Sequence, residues 1–183
     1  WILKLGSDSD QPWLFGSWHG RERGQEWGER AGATMRWSGA ACGVLLPVRP
    51  GADHTLRLHV SVPSFAIGPS GVGVRVGGQS LGVIGKAGKQ VCEFQLPSSL
   101  LGTEPVARLE VTAVTWKPSE RMPGSDDGRE LGFSLSQVEL ICRGGESEPA
   151  TDAALRFVLD ARRLETLTRA VGQGRTIFLP GRA

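Results

Sequence analysis

Residues 127–140, DGRELGFSLSQVEL, decide the fold of this chain. Four apolar residues define the pattern, two on each parity: Phe133 and Leu135, then Val138 and Leu140. Side chains alternate between the two faces of a strand, so a change of parity means that one extra residue has been inserted. The segment therefore predicts a late core strand with one register shift near Ser136 or Gln137, and it argues against a helix.

An acidic and a basic residue stand just before this strand. Asp127 and Arg129 lie in a Gly-containing approach to it. A carboxylate and a guanidinium form short, geometrically specific hydrogen bonds. We expect this pair to pin the loop against a sheet edge.

Composition favours a domain rich in strands and turns. The chain has 183 residues, with 26 Gly and 11 Pro. That length allows one domain, or one domain with an appendage, around a substantial core. Its short apolar runs, separated by Gly and Pro, are typical of all-β proteins.

Upstream segments repeat the strand signal. Leu56, Leu58, Val60 and Val62 alternate with polar residues, as in a sheet with one buried face. Residues 72–83 predict a hairpin that turns at Gly77-Gly78. Residues 35–48 predict either two strands or one long bent strand, with a bulge or a close backbone approach at Gly39 and Gly43.

These patterns predict an all-β fold, an antiparallel two-sheet jelly-roll sandwich of eight or nine strands with a short C-terminal helix. The sandwich domain covers residues 1–143, a polar linker covers 144–152, and the helix and tail cover 153–183. The helix has apolar residues at helical spacing, and its apolar face docks on the sandwich or on a partner. Docking on the sandwich is the favoured alternative.

Charge and hydropathy exclude two classes of partner. The 21 basic and 19 acidic residues leave a net charge of +2, too small for a nucleic-acid-binding surface. No apolar run reaches the roughly 20 residues that a membrane-spanning helix needs. We expect no nucleic acid and no membrane span.

Three cysteines, Cys42, Cys92 and Cys142, lie far apart in apolar strand patterns. Buried free thiols are the favoured interpretation, although one disulfide between two of them is possible. The sequence argues against zinc because it has no CxxC or HxxxH spacing. Free thiols favour a reducing compartment, and so the cytoplasm over the periplasm or the extracellular space.

An aromatic segment near the N-terminus suggests a ligand. Trp13, Phe15, Trp18 and Trp27 fall within fifteen residues, among Gly and charged residues. Sugars stack on aromatic faces, and their hydroxyls bond to carboxylates, amides and Arg. The candidate ligand-binding residues are Trp18, Trp27, His19, Glu22, Arg36, Asp127 and Arg129. Trp13, Trp37 and Trp116 are further candidates, of which Trp37 is the one most typical of a core residue.

Catalysis has little support in the sequence. Glycoside hydrolysis requires two carboxylates, and the neighbouring pairs Glu22 with Glu26 and Asp126 with Asp127 are the candidates. The sequence contains no nucleophile elbow, P-loop or dinucleotide fingerprint. No cofactor is predicted. A structural Ca²⁺ held by loop oxygens near Asp8, Asp10 or Asp126 is possible.

Four short motifs resemble the β-sandwich modules appended to bacterial glycosyltransferases and other cell-surface glycan enzymes. The motifs are GSWHGRE at 16–22, RWS at 36–38, VGGQSL at 76–81 and DGRELG at 127–132. The resemblance covers residues 16–142 and departs from the family in replacing an Asn-Gly turn with Gly77-Gly78. It implies a carbohydrate-binding-module-like accessory domain that handles carbohydrate and accompanies a catalytic domain in the same or a neighbouring chain.

Three functional hypotheses follow. The first is a non-catalytic module that binds or positions glycan for that catalytic domain. The second is a structural domain for protein–protein interaction, and the third is a glycoside hydrolase. Residue spacing alone does not choose among them.

Overall fold

The computed structural model describes residues 1–23, 33–143 and 154–162, and these residues are mostly strand. They form nine strands: β1 (Ile2–Lys4), β2 (Leu14–Arg23), β3 (Thr34–Pro47), β4 (His54–Val62), β5 (Val72–Val76), β6 (Gln79–Ile84), β7 (Gly88–Leu96), β8 (Val106–Thr112) and β9 (Ser134–Cys142). One short helix, α1 (Pro118–Arg121), lies between β8 and β9. The all-β prediction is confirmed.

Hydrogen bonds join the strands into one antiparallel sheet in the order β6-β5-β8-β3-β9-β4-β7, with β1 beside β9 and β2 beside β3. Strand β3 connects the two halves, because residues 36–37 pair with β9 and residues 41–47 pair with β8. The sheet curves until its ends approach: a Cβ on Gly82 of β6 would lie 3.5 Å from the Phe94 ring of β7. This single sheet is nearly closed and barrel-like, so the two-sheet jelly-roll arrangement is not confirmed.

Strand β9 has the position and the irregularity that its sequence predicts. It pairs with β1, β3 and β4, in the middle of the sheet. Its partners step from His59↔Gln137 to Val60↔Leu135, so Ser136 is the extra residue of a bulge. That bulge lets the apolar residues of both parities enter the core, where Phe133, Leu135, Val138 and Leu140 are all buried.

Glycines act where the sequence places them. Gly77 and Gly78 both have positive φ angles, 57° and 79°, and close the β5–β6 hairpin. Residues 34–47 form one long strand, and a Cβ on Gly39 or Gly43 would clash with β2 side chains at 2.3 and 2.1 Å. Both close approaches are confirmed.

A second helix, α2, is described over residues 154–162. Ala154 and Val158 are buried in the common core, and Arg162 Nη2 donates a 2.6 Å hydrogen bond to the carbonyl of Leu14. This part of the helix therefore docks on the sheet of its own chain, as favoured above. The predicted linker, 144–152, and the tail after 162 lie outside the described residues.

All three cysteines are free thiols. Cys42 is buried, and burial raises the pKa of its thiol far above the ordinary range. Cys92 and Cys142 are only half-buried, so burial is confirmed for one of the three. Within the described ranges, no helix has the length and apolar character needed to cross a membrane.

Candidate functional site

A groove of about 650 Å³ opens where the end of β2 and the start of β3 meet the β8–β9 connection. The polar walls come from both parts of the chain, Glu22 and Arg23 on one side and Ser125, Asp127 and Arg129 on the other. The remaining walls are mainly apolar: Met35, Trp37, Trp116, Pro118, Met122, Pro123 and Leu131. Its volume lies within the range of about 300–1,000 Å³ that is usual for small-molecule sites.

Arg129 joins the two acidic residues of the groove. Its Nη2 donates to Asp127 Oδ2 at 2.7 Å, and its Nε lies 3.0 and 3.1 Å from the two oxygens of the same carboxylate. Its Nη1 donates to Glu22 Oε1 at 2.6 Å, across 107 residues of sequence. The predicted Asp127–Arg129 pair is confirmed, and the contact with Glu22 fixes the loop to strand β2.

Two tryptophans form the base of the groove. Trp37 and Trp116 pack edge to face with ring centroids 5.7 Å apart. Trp37 Nε1 donates to Glu22 Oε2 at 3.2 Å, and Trp116 Nε1 donates to the Gly132 carbonyl at 3.0 Å. Both residues are buried and line the groove, and the hydrogen bond from Trp37 helps to hold Glu22 in place.

This network keeps Asp127 and Arg129 charged at neutral pH. The hydrogen bond from the Arg129 side chain, and next that from its backbone N–H, lower the pKa of Asp127 to about 2. The nearby imidazole of His19 acts in the same direction. The same contact with Asp127 raises the pKa of Arg129. A guanidinium has five N–H groups, so Arg129 retains donors beyond these contacts, and its side chain is 43% exposed.

The lowered pKa of Asp127 predicts a pH-dependent contribution to stability. The folded value of about 2 lies below the value of about 3.9 in an unfolded chain. The stabilisation is therefore complete above the unfolded pKa and is lost as pH falls towards 2. We expect Asp127→Asn to lower the free energy of unfolding by up to about 1 kcal/mol at pH 7, because the pair is partly exposed. Urea unfolding at pH 7 and pH 2.5 tests this: the difference between wild type and variant should shrink on acidification, and a constant difference would refute the linkage.

His19 lies near the groove without lining it. Its Nε2 is 2.9 Å from the carbonyl oxygen of Glu130, in the same connection that carries Asp127 and Arg129. Four of the seven predicted ligand residues thus come together: His19, Glu22, Asp127 and Arg129.

Arg36 has a different place, inside the protein. Its Nε and Nη2 donate to the two oxygens of Asp10 at 2.6 and 2.9 Å, and its Nη1 donates to the His19 carbonyl at 3.0 Å. Asp10 is completely buried and also accepts the Gly6 N–H at 2.6 Å. Arg36 therefore ties β3 to the loop before β2, and it does not line the groove.

The N-terminal tryptophans also have structural contacts. Trp18 Nε1 donates to the Gly43 carbonyl at 3.0 Å, and its ring packs edge to face on Phe133. Trp13 is buried and packs against Trp1 with centroids 5.3 Å apart. Neither lines the groove. Trp27 and Glu26 lie outside the described residues.

Sequence reasoning missed the apolar wall of the groove. Pro118, Met122 and Pro123 belong to residues 117–128, whose composition is that of a polar loop. A backbone bridge between Trp116 and Leu131 joins the two ends of this loop, and its apolar residues line the groove. The available signal was the position of this loop, between a tryptophan and the Asp127–Arg129 pair.

Two of the three aspartates considered for calcium form ion pairs with arginines. Asp8 pairs with Arg21 at 2.8 Å, and Asp10 pairs with Arg36. Across 1–23, 33–143 and 154–162, no three His, Cys, Asp or Glu side chains cluster as metal ligands do.

No protein-family model matches the sequence, and no curated protein matches it significantly. Among solved structures, the ANX1 ectodomain from Arabidopsis thaliana is 17% identical with a TM-score of 0.51, over 77% of this chain and 40% of that chain. The ANXUR1 extracellular domain from the same plant is 16% identical with a TM-score of 0.49, over 77% and 41%. An exo-beta-1,3-galactanase from Phanerochaete chrysosporium is 12% identical with a TM-score of 0.35, over 76% and 28%. This chain spans about two fifths of the plant ectodomains, and the likeness to the ANX1 ectodomain concerns the β fold alone.

Proposed function

We propose that this chain is a non-catalytic carbohydrate-binding module. One observation carries the proposal: charged residues from two distant segments, Glu22 and the Asp127–Arg129 pair, converge on a groove of about 650 Å³ with an apolar wall. Such a site combines a few oriented polar groups with apolar surface, as small-ligand sites do.

The chemistry of the groove suits a sugar. The carboxylates of Glu22 and Asp127 accept hydrogen bonds from hydroxyls, and Arg129 donates to hydroxyl oxygens. The wall formed by Met122, Pro123 and the edge of Trp116 offers an apolar surface to the C–H face of a ring. Because Arg129 already orients both carboxylates, little side-chain freedom is lost on binding.

The electrostatics of Asp127 suit hydrogen bonding to a sugar better than acid catalysis. A glycosidase needs a general acid whose pKa is raised so that it carries a proton near neutral pH. Asp127 has its pKa lowered to about 2 and is held by a guanidinium. It is therefore suited to accept hydrogen bonds and unsuited to donate a proton.

The proposed role is to hold glycan for a catalytic domain in the same or a neighbouring chain. This is the role implied by the resemblance to the accessory modules of bacterial glycosyltransferases. The motifs GSWHGRE and DGRELG contain Glu22, Asp127 and Arg129, which line the groove, and His19, which lies near Asp127.

The decisive variant is Glu22→Gln. It preserves side-chain size but removes the negative charge that faces Arg129. It also leaves one acceptor oxygen in place of the two that bind Arg129 and the Trp37 N–H. We expect the affinity for a glycan found on an array to fall about tenfold, the value of one lost charge-assisted hydrogen bond. Isothermal titration of wild type and variant with that glycan measures the change.

Glu93→Gln is the matched control. Glu93 is another partly exposed carboxylate in an ion pair, with Arg57 at 2.9 Å, and it lies outside the groove. Its substitution should leave glycan affinity unchanged. Equal losses in both variants, or no binding of any arrayed glycan by folded wild-type protein, would contradict the proposal.

A second candidate function is protein–protein interaction. Phe65 and Val114 are large apolar side chains with 39% and 44% exposure. Phe65, in the loop 64–68, packs against Trp116, and Val114 lies beside Gly68 of the same loop. Exposed apolar patches mark interaction surfaces. Sedimentation of wild type and Val114→Lys distinguishes this function: self-association that the variant abolishes, without glycan binding, would support it.

A further inference from the structure

A second cavity, of about 520 Å³, lies between helix α2 and the outer face of the sheet. It shares no residue with the groove that Glu22, Asp127 and Arg129 line. Its floor is apolar and comes from three neighbouring strands: Phe15 of β2, Leu45 of β3 and Val106 of β8. These side chains are half-buried, and they alternate along their strands with the buried residues Leu14, Leu46 and Ala107.

The described part of helix α2, residues 154–162, covers this face only partly. It enters the core through Ala154 and Val158, whereas Phe157 lines the cavity and stays 42% exposed. An apolar space between a helix and a sheet, lined by an exposed aromatic ring, has the character of a ligand site.

Two guanidinium groups stand beside the apolar floor. Arg108 is opposite Leu45 in the β3–β8 register, and its guanidinium carbon lies 4.1 Å from the centre of the Phe15 ring. Its Nε is 3.9 Å from Glu110 Oε1, too far for a hydrogen bond. Arg162 is the second guanidinium of the lining, and Glu104 supplies one carboxylate. The basic side chains of the lining thus outnumber the acidic one.

We propose that this cavity binds an organic anion with an apolar tail, such as a medium-chain carboxylate. The tail packs between Phe157 and the floor of Phe15, Leu45 and Val106. The anionic head meets Arg108, whose stacking on Phe15 fixes its position at the cavity. This site goes beyond the proposed glycan function and does not depend on it.

The test is calorimetric titration of the whole chain with decanoate below its micelle-forming concentration, and with decyltrimethylammonium as the cationic analogue. We expect saturable 1:1 binding of decanoate and markedly weaker binding of the cation. Arg108→Gln should weaken decanoate binding about tenfold, as expected for loss of one charged donor. Ala161→Trp, on the exposed side of α2, should fill the cavity and abolish binding without disturbing the core.

Arg121→Gln is the control, because Arg121 is an exposed arginine of α1 outside the cavity. It should bind decanoate like wild type. Non-saturable binding, equal affinity for the cationic analogue, or unchanged binding in both Arg108→Gln and Ala161→Trp would overturn the proposal.

Discussion

Asp10→Asn is expected to lower the free energy of unfolding by about 3–5 kcal/mol, the usual effect of removing one partner of a buried ion pair. Asp10 has no exposed surface and accepts hydrogen bonds from Arg36 Nε, Arg36 Nη2 and the Gly6 N–H. The variant leaves the buried Arg36 charge uncompensated and turns an amide N–H₂ towards its donors. The free energy of unfolding of a native protein is about 5–15 kcal/mol in total, so Asp10→Asn should remove much of the stability. Urea unfolding measures this loss, which should lower the midpoint and leave the m-value unchanged.

Asp8→Asn is the matched control for this prediction. Asp8 forms an ion pair of similar length, 2.8 Å to Arg21, but its side chain is 96% exposed. Exposed pairs contribute at most about 1 kcal/mol, so the control should change stability little. Similar losses in Asp8→Asn and Asp10→Asn would show that burial of the Asp10–Arg36 pair is not what matters.

Gly43→Ala is expected to lower the free energy of unfolding by about 1–3 kcal/mol or more, the range for overpacking a well-packed site. The new Cβ would lie 2.1 Å from Phe15 Cζ and 2.5 Å from the carbonyl oxygen of Leu109. The Phe15 ring can rotate away, but the Leu109 carbonyl belongs to strand β8, which pairs with β3. Strands β3 and β8 must therefore shift apart. Thermal unfolding of the variant measures the loss.

Gly20→Ala provides the same substitution in strand β2, where a Cβ meets nothing within 4 Å. Its free energy of unfolding should change by less than about 1 kcal/mol, with a gain possible because Ala restricts the unfolded chain. If Gly20→Ala proves as destabilising as Gly43→Ala, the cause is loss of glycine itself and not the contact between strands.

The candidate site was only partly predictable. His19, Glu22, Asp127 and Arg129 could be selected from their residue types and motifs, and they do lie together. Arg36 had the same chemistry in the sequence, but the structure gives it to Asp10, a partner 26 residues away. Trp18 likewise packs on Phe133. Sequence shows which side chains can bind a ligand, whereas their exposure depends on contacts made at long range.

The burial of strand residues was also only partly predictable from the sequence. Alternation correctly placed Leu56, Leu58 and Val60 in the core. Uninterrupted alternation back from the Gly77-Gly78 turn would also place Val83 inward, but Val83 is 55% exposed. The partners of β5 and β6 shift between Val74 and Arg75, so the returning strand changes parity after the turn.

By itself, the sequence of this protein determined its β character, the core strand β9 with its bulge, the Gly77-Gly78 turn and the Asp127–Arg129 pair. These features depend on local periodicity, on φ angles open to glycine and on charges two residues apart. Only the tertiary structure decided that one nearly closed sheet forms, that Glu22 reaches Arg129 across 107 residues, and that α2 leaves a cavity over the sheet. The reason is physical: pairing between distant strands and the burial of each side chain follow from the packing of the whole chain, which no local pattern contains.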